Sequence, residues 1–217
     1  MNVITIDGIT CSGKSLLAEL LLKELKKKNK KVVLINKDLF LFTRVKRINA
    51  TKKVKKNIFH QNQLHYDLKK LYRVIKFLTQ PSSLKTLRVS KLYNRKNGKN
   101  DLSATFKFRK NNLIIFEGIY INEDLRNIIN PIYKILIIEK IYDSLFRKIE
   151  RIRDKKISIQ NVVKEFTKIH LQSFYRYLIN QSFDISFEFN KKNFLKIKNG
   201  KTRQIGYIKN FLKKHSF

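Results

Sequence analysis

Acidic residues are scarce in this chain. Against 49 lysines and arginines stand only 16 aspartates and glutamates, a formal net charge of +33. A carboxylate placed at the end of an apolar strand therefore stands out against a basic background. Glycine is scarcer still, with 6 in 217 residues, so each one points to a backbone need that a Cβ would obstruct. The single cysteine, Cys11, excludes an intrachain disulfide and fits a reducing cytosol. Its thiol either gates a loop by oxidation or is simply a small residue filling that loop. Long apolar runs are missing. The longest, Asn112 to Phe116 and Ile135 to Ile138, fall far short of the ~20 residues that span a bilayer. No charged leader precedes the first apolar segment, so the expectation is a cytoplasmic protein with no membrane segment. The length fits one domain, or one domain with a small lid. The positive charge exceeds what a nucleotide site needs. It reads either as a polyanion-binding surface or as compositional drift, since Lys, Asn and Ile dominate as they do in products of AT-rich genomes. Either way, binding to polyanions at low salt is expected.

What is present is concentrated in the first fifteen residues. Asn2 to Ile6 is β-branched and nearly uncharged, the pattern of a short buried strand. Gly8-Ile9-Thr10-Cys11-Ser12-Gly13-Lys14-Ser15 follows, the G-x-x-x-x-G-K-S phosphate-binding loop, and Leu16 opens a helix to about Lys28. In such a loop the inward N–H groups and the positive end of the new helix cradle phosphate oxygens. Lys14 supplies a cation to the β/γ-phosphates and Ser15 a hydroxyl to Mg²⁺. Residues Gly8 to Leu16 are thus expected to bind ATP.

Lys31 to Asn36 reads as a second buried strand. Strand, helix, strand over so short a span is a βαβ unit with parallel strands. Ligands bind beyond the carboxyl ends of such strands, so Gly8 and Asp38 are expected to face one cleft. Phe42 to Asn62 is weakly patterned and reads as a loop or short mobile helices; Leu64 to Leu78 reads as a helix ended before Pro81. Leu84 to Tyr93 and Ala104 to Arg109 read as two strands of a hairpin with a polar turn from Asn94. Leu113 to Phe116 and Tyr133 to Ile138 read as buried strands, Tyr142 to Arg153 as a cationic helix, Ile159 to Leu178 as one long amphipathic helix and Phe183 to Phe189 as a strand; Asn193 to Phe217 fits a strand and a closing helix.

Three sets of residues suit phosphoryl transfer, and a fourth position has a plainer reading. Asp38, after the second strand, either accepts a proton from an acceptor hydroxyl or caps a helix. Glu117 either holds Mg²⁺ as a strand-end carboxylate or pairs with a lysine. Arg147 and Arg151 share a helix face, with Arg153 close behind. They form either a clamp on the moving phosphoryl group, worth roughly 10³-fold in rate, or a solvated face. Asp67 reads as a surface acid pairing with Lys70 or Arg73.

Taken in order, these motifs resemble the uridine kinase branch of the phosphoribulokinase/uridine kinase family of P-loop kinases, from Met1 to about Phe187. Asp7 to Ser15 is similar to the family's P-loop. Asn36-Lys37-Asp38-Leu39-Phe40 resembles the segment that carries its catalytic Asp, and His65-Tyr66-Asp67-Leu68 the segment whose Asp grips ribose hydroxyls. Tyr93-Asn94-Arg95-Lys96-Asn97-Gly98 resembles the hairpin that covers the base. Phe116-Glu117-Gly118-Ile119 is like its Glu-Gly-Ile signature, Arg147 and Arg151 fit its lid arginines, and Phe174 and Asp184 match the ends of the next helix and strand. The resemblance implies an α/β, three-layer P-loop NTPase fold with a mostly parallel sheet, as a single domain over 1–217. It also implies a β-hairpin insertion at about 84–110 and a helical arginine lid at about 143–158.

The implied activity is ATP- and Mg²⁺-dependent phosphorylation of a ribonucleoside 5′-hydroxyl in pyrimidine salvage. Catalysis would rest on Asp38, Lys14, Arg147 and Arg151; the acceptor on Asp38, Asp67, Tyr93, Arg151 and Glu165; and the metal on Ser15, Glu117 and Asp38. The pocket differs from the family's pattern at Leu16, Lys91, Asn94, Asn97-Gly98, Arg153-Asp154 and Glu165. Other acceptors (nicotinamide riboside, pantothenate, a phosphorylated sugar) or a polyanion-binding regulatory ATPase are the alternatives, and oligomeric state is open.

Overall fold

Apolar alternation decides which face of each strand is covered. The computed structural model describes residues 2–53, 64–80, 85–108, 112–152, 158–189 and 195–197. They form two compact units, one from 2–35 with the chain after 112, the other from 36–112.

The first unit holds β1 (Asn2–Gly8), α1 (Lys14–Lys27) and β2 (Val32–Asn36, whose last residue begins the other unit). After the second unit the chain returns through β5 (Leu113–Glu117), α4 (Ile121–Leu125), β6 (Tyr133–Ile138) and α5 (Ile141–Glu150). It ends its described course in α6 (Ile159–Glu165), a π-helical segment (Phe166–Leu171), α7 (Gln172–Ile179), β7 (Ile185–Phe189) and β8 (Leu195–Ile197). The sheet order is β2-β5-β1-β6-β7-β8. β1 pairs in parallel with β5 and β6, and β6 with β7, while β7–β8 is antiparallel. The sheet is mostly parallel, as expected.

On one face of β1, Ile4 and Ile6 meet Leu17, Leu21 and Leu25 of α1 together with Ile115, Ile135, Ile137 and Phe187. All of these are fully buried, each worth roughly 1.5–3 kcal/mol. The opposite face carries Thr5 and Asp7. Thr5 Oγ1 donates to Asn122 Oδ1 at 2.7 Å, and Asp7 meets α4 and α7. The polar side of β1 is therefore satisfied by side chains and turn amides rather than by water.

The second unit holds a 3₁₀ turn (Lys37–Phe40), α2 (Arg44–Lys53), α3 (Leu68–Thr79), β3 (Thr86–Asn94) and β4 (Lys99–Lys107). β3 and β4 form an antiparallel hairpin, with a register shift between Val89 and Leu92 where Lys91 takes φ 56°. The hairpin expected from the sequence is present, but β4 begins at Lys99, before the expected Ala104. Its early residues face solvent, so they lack the apolar alternation that would have marked them.

Three further boundaries differ. The helix expected from Leu64 begins at Leu68, because Asp67 caps it and Tyr66 bridges to Leu41. The segment from Phe42, expected as loop or short mobile helices, opens with a short helix, Arg44–Lys53. Contacts hold it rather than an apolar stripe: Thr43 Oγ1 accepts from Lys46 N at 3.4 Å, Lys46 Nζ lies 3.6 Å from the Phe42 ring centroid, and Arg47 packs on Tyr93. The long helix expected over Ile159 to Leu178 runs through a π-helical turn. The remainder of the Phe42–Asn62 reading, Arg153 and Asp154, and the tail beyond Ile197 lie outside the described residues.

Candidate functional site

The phosphate-binding loop lies in the first unit, between β1 and α1. Gly8 is required by close approach: a Cβ there would stand 2.7 Å from Ser12 Oγ and 2.9 Å from the Ile137 carbonyl oxygen. Gly13 has φ 90° and forms the N-cap of α1 without a side-chain hydrogen bond, and the first turn carries no acidic residue. The positive end of a 14-residue helix is thus left to whatever anion the loop receives. Cys11 also adopts a left-handed φ of 64° and is buried, its Sγ 3.8 Å from Thr10 Oγ1. Ile9 is buried, while Leu16 points outward and is 45% exposed. Among the described residues Ser12 Oγ is buried and makes no hydrogen bond. Lys14 is buried too, its Nζ donating to the Ile9 carbonyl at 2.7 Å. An orphaned hydroxyl and an ammonium folded onto the loop's own carbonyl suit a site built around phosphate oxygens.

Ser15 Oγ donates to Glu117 Oε1 at 3.0 Å. Glu117 closes β5 and is buried, and Gly118 N bonds back to the Ile6 carbonyl at 3.1 Å, which fixes the strand end against β1. A hydroxyl and a carboxylate held together form a hard oxygen donor pair of the kind that takes Mg²⁺. These two residues, both expected from the sequence, fit that ion.

Behind the loop lies Asp7, which the sequence reading quoted without a role. Its Oδ1 accepts from Gly8 N at 2.9 Å and Tyr120 N at 3.0 Å, and its Oδ2 from Ile121 N at 3.0 Å and from the Tyr177 hydroxyl. Burial, then the charge of Asp7, push the Tyr177 phenol far above its ordinary range. The signal was available: an acid in an otherwise apolar strand.

Arg147, in the last turn of α5, donates from Nη1 to the Cys11 carbonyl at 3.2 Å and pairs through Nη2 with Glu139. Glu139 follows β6, and its side chain has no exposed surface. Burial raises its pKa, opposed by the hydrogen bond from Ser144 and the charge of Arg147. Arg147 is therefore tied to the phosphate loop. Arg151, four residues on, is exposed.

Glu165 lies in this same unit, between Lys148 Nζ at 3.5 Å and His170 Nε2 at 3.1 Å. The π turn explains the second contact, since its i→i+5 spacing sets residues 165 and 170 side by side. The hydrogen bond with His170, with help from Lys148, lowers the Glu165 carboxyl to about 2, against the opposing effect of burial. Burial lowers both His170 and Lys148, each against the pull of Glu165.

The second unit carries the expected acceptor residues. Asp38 sits in the 3₁₀ turn, whose N-cap is Asn36, with Asn36 Oδ1 accepting from Asp38 N at 2.7 Å. The Asp38 side chain is thereby left for other partners. Tyr66 donates its hydroxyl to Asp38 Oδ1 at 3.2 Å, and Arg95 pairs with Oδ2. Neither partner was singled out from the sequence. Asp67 N bonds to the Phe40 carbonyl at 2.7 Å, joining α3 to the turn. Its carboxylate caps α3 by accepting from Lys70 N at 3.1 Å and pairs with Lys70 Nζ at 3.1 Å, the partner expected of a surface acid. Tyr93 packs with Leu41 and Tyr66 and accepts from Arg47 Nη2 at 2.9 Å.

A family model described as "Chromatin associated protein KTI12" matches residues 1–95. No curated protein matched the chain. Among solved structures, one described as a possible uridine kinase from Bacillus stearothermophilus is 17% identical with a TM-score of 0.60, over 85% of this chain and 87% of that one. Phosphoribulokinase from Rhodobacter spheroides is 16% identical with a TM-score of 0.60, over 97% and 85%. D-glycerate 3-kinase from Cryptococcus neoformans is 12% identical with a TM-score of 0.60, over 93% and 89%. The chain has the fold of P-loop kinases that act on various acceptors. Among the described residues no helix is long and apolar enough to cross a membrane.

Proposed function

We propose that the protein is an ATP-dependent kinase that transfers the γ-phosphoryl group to a hydroxyl of a small acceptor, on the pattern of uridine kinase. The carrying observation is the Ser15–Glu117 hydrogen bond at the mouth of a complete phosphate loop. It joins the loop hydroxyl to a strand-end carboxylate, as binding of ATP with Mg²⁺ requires.

In the proposed reaction the loop amides, Gly13 at the head of α1 and Lys14 bind the triphosphate. Ser15 and Glu117 would hold Mg²⁺, whose charge, when bound, offsets that of the β- and γ-phosphates. Asp38 orients the acceptor hydroxyl and takes its proton. The acceptor oxygen bonds to the γ-phosphorus, the bond from γ-phosphorus to the bridging oxygen breaks, and ADP leaves with that electron pair. Arg147 and Arg151 neutralise charge on the moving phosphoryl group. Asp67 and Tyr93 are the acceptor contacts the resemblance implies.

The test is an ATP-consumption screen over ribonucleosides, nicotinamide riboside, pantothenate and sugar phosphates, with Asp38→Asn in parallel. The reading expects one acceptor to be phosphorylated and Asp38→Asn to lose at least ~10²-fold in rate. Wild-type turnover by Asp38→Asn would sink the assignment of the base.

A second reading, a regulatory P-loop ATPase, is favoured by one observation: the matching family model covers both the phosphate loop and Asp38. It expects RNA to stimulate ATP hydrolysis and every small acceptor to be inert.

A further inference from the structure

Both oxygens of Asp38 are engaged: Tyr66 donates to one and Arg95 pairs with the other. Each oxygen keeps a second lone pair, but a hydroxyl arriving at Oδ2 must share that oxygen with a guanidinium until Arg95 yields. Tyr66 is not the one to yield. It is buried with Leu41 and Tyr93, bridges to Leu41 through the backbone, and carries Lys37 Nζ 4.2 Å from its ring centroid. Arg95 is different. Its side chain is 58% exposed, and it rides on the four-residue turn between β3 and β4.

The carboxylate on the hairpin itself offers Arg95 no ready alternative. Asp101 is occupied by Asn94 Nδ2 at 2.9 Å and by Asn97 Nδ2. Those two bonds, Asn97 first, hold its carboxyl below the usual range. Asp67 is committed to Lys70 and to capping α3. A guanidinium leaving Asp38 replaces its charge-assisted hydrogen bond best on another planar or tetrahedral anion, a carboxylate or a phosphate. A neutral acceptor gives it no such exchange.

From this we infer that Arg95 is a specificity residue that selects an acceptor bearing an anionic group, a phosphate or a carboxylate, beside the hydroxyl to be phosphorylated. Seating of that anion draws Arg95 off Asp38 and frees the base in the same event. The inference rests on the kinase reading and narrows it: the preferred acceptor is a hydroxylated acid rather than a neutral nucleoside. The surrounding charge agrees, since Lys96 follows on the same turn and Arg47 bonds to Tyr93, two residues before that turn.

The experiment measures binding before turnover, so that it does not depend on catalysis. Ribose 5-phosphate, glycerate and ribose are titrated calorimetrically into the full chain, its Arg95→Ala and Arg95→Lys variants, and Asp38→Asn. The wild type is expected to bind one of the two anions at least ~10-fold tighter than ribose, the scale of one charge-assisted contact. Whichever anion binds names the source. Arg95→Ala is expected to abolish that preference and Arg95→Lys to keep part of it. Asp38→Asn, which no longer competes for the guanidinium, is expected to bind the anion tighter than the wild type. A merely structural Arg95 would not produce that gain.

The inference is overturned if neither anion outbinds ribose, or if Arg95→Ala leaves the preference intact. Anion binding that follows Arg95 without turnover of any acceptor would sink the kinase reading, and with it the anion's role as acceptor, leaving Arg95 only an anion contact. Turnover that needs Asp38 but ignores Arg95 would sink this inference alone.

Discussion

Tyr177 gives its hydroxyl hydrogen to Asp7 across 170 residues of sequence, and both side chains are fully buried. Through Asp7 the hydroxyl is tied to Gly8 N, the first amide of the phosphate loop, and to the two amides that open α4. Tyr177 also stacks edge-on against Tyr120, their centroids 5.1 Å apart. Helix α7 thus reaches the loop through a single carboxylate. Tyr177→Phe keeps the ring and removes the bond, leaving a buried carboxylate short of one donor. We expect a loss of about 1–3 kcal/mol in unfolding free energy by denaturant titration, with weaker ATP binding by fluorescent-nucleotide titration.

Gly8→Ala tests the loop directly. Its Cβ would meet Ser12 Oγ and the Ile137 backbone at less than 3.0 Å. Ser12 Oγ can rotate away, but a strand carbonyl cannot. The expected result is a folded protein that has lost nucleotide affinity by at least ~10-fold, since the loop must shift from its phosphate-binding shape. Unchanged affinity in the same titration would refute the close-approach argument.

Arg147 joins the loop carbonyl of Cys11 to the buried Glu139. Arg147→Met should cost about 1–3 kcal/mol of stability by leaving that carboxylate without its cation. Adding Glu139→Gln should recover part of the loss, a coupling of roughly 0.5–3 kcal/mol in a double-mutant cycle. Arg151→Met, at an exposed position, should leave stability unchanged and lower only the rate of phosphoryl transfer.

The Glu165–His170 pair sets a pH dependence of stability. Burial holds the folded-state pKa of His170 below its ordinary value. The native protein therefore binds fewer protons than the unfolded chain just below pH ~6.5, and stability falls as the pH drops through that window. Glu165, depressed to about 2, adds a second loss on acidification below pH ~4.5. His170→Gln should flatten the first slope and, by removing the imidazole that chiefly depresses Glu165, shrink the second. Thermal unfolding from pH 7.5 to 4 checks this; an unchanged slope between pH 6.5 and 5 would count against the pair.

The hairpin makes the base accessible or not, on the inference drawn above. If Arg95 caps Asp38, the turnover of neutral acceptors should rise in Arg95→Ala while that of anionic acceptors falls. Steady-state kcat/KM for one acceptor of each kind decides it.

Much of the first unit could be read directly along the chain. β1, α1, β2, β5 and β6 are short apolar strands or a one-faced leucine helix, and in the inner strands β1 and β5 burial on both sides makes that pattern strong. The phosphate loop was legible for the same local reason, because its glycines and Lys14 answer to backbone geometry within a few residues. The bounds of Arg44–Lys53 and the early part of β4 were not legible, because their stability comes from partners elsewhere in the second unit rather than from their own apolar period.

The sequence by itself determined the phosphate-loop motif and its lysine, contiguous signals with fixed spacing, and marked Glu117 as a strand-end acid. Tertiary structure alone decided what each charge does. It assigned Glu165 to a π-turn histidine, Arg147 to Glu139 and the loop, and Arg95 to Asp38. With 49 cations and 16 acids in the chain, spacing cannot say which pairs form, because Coulomb attraction has no sequence register. Only the packing that brings distant segments within hydrogen-bond reach makes that choice.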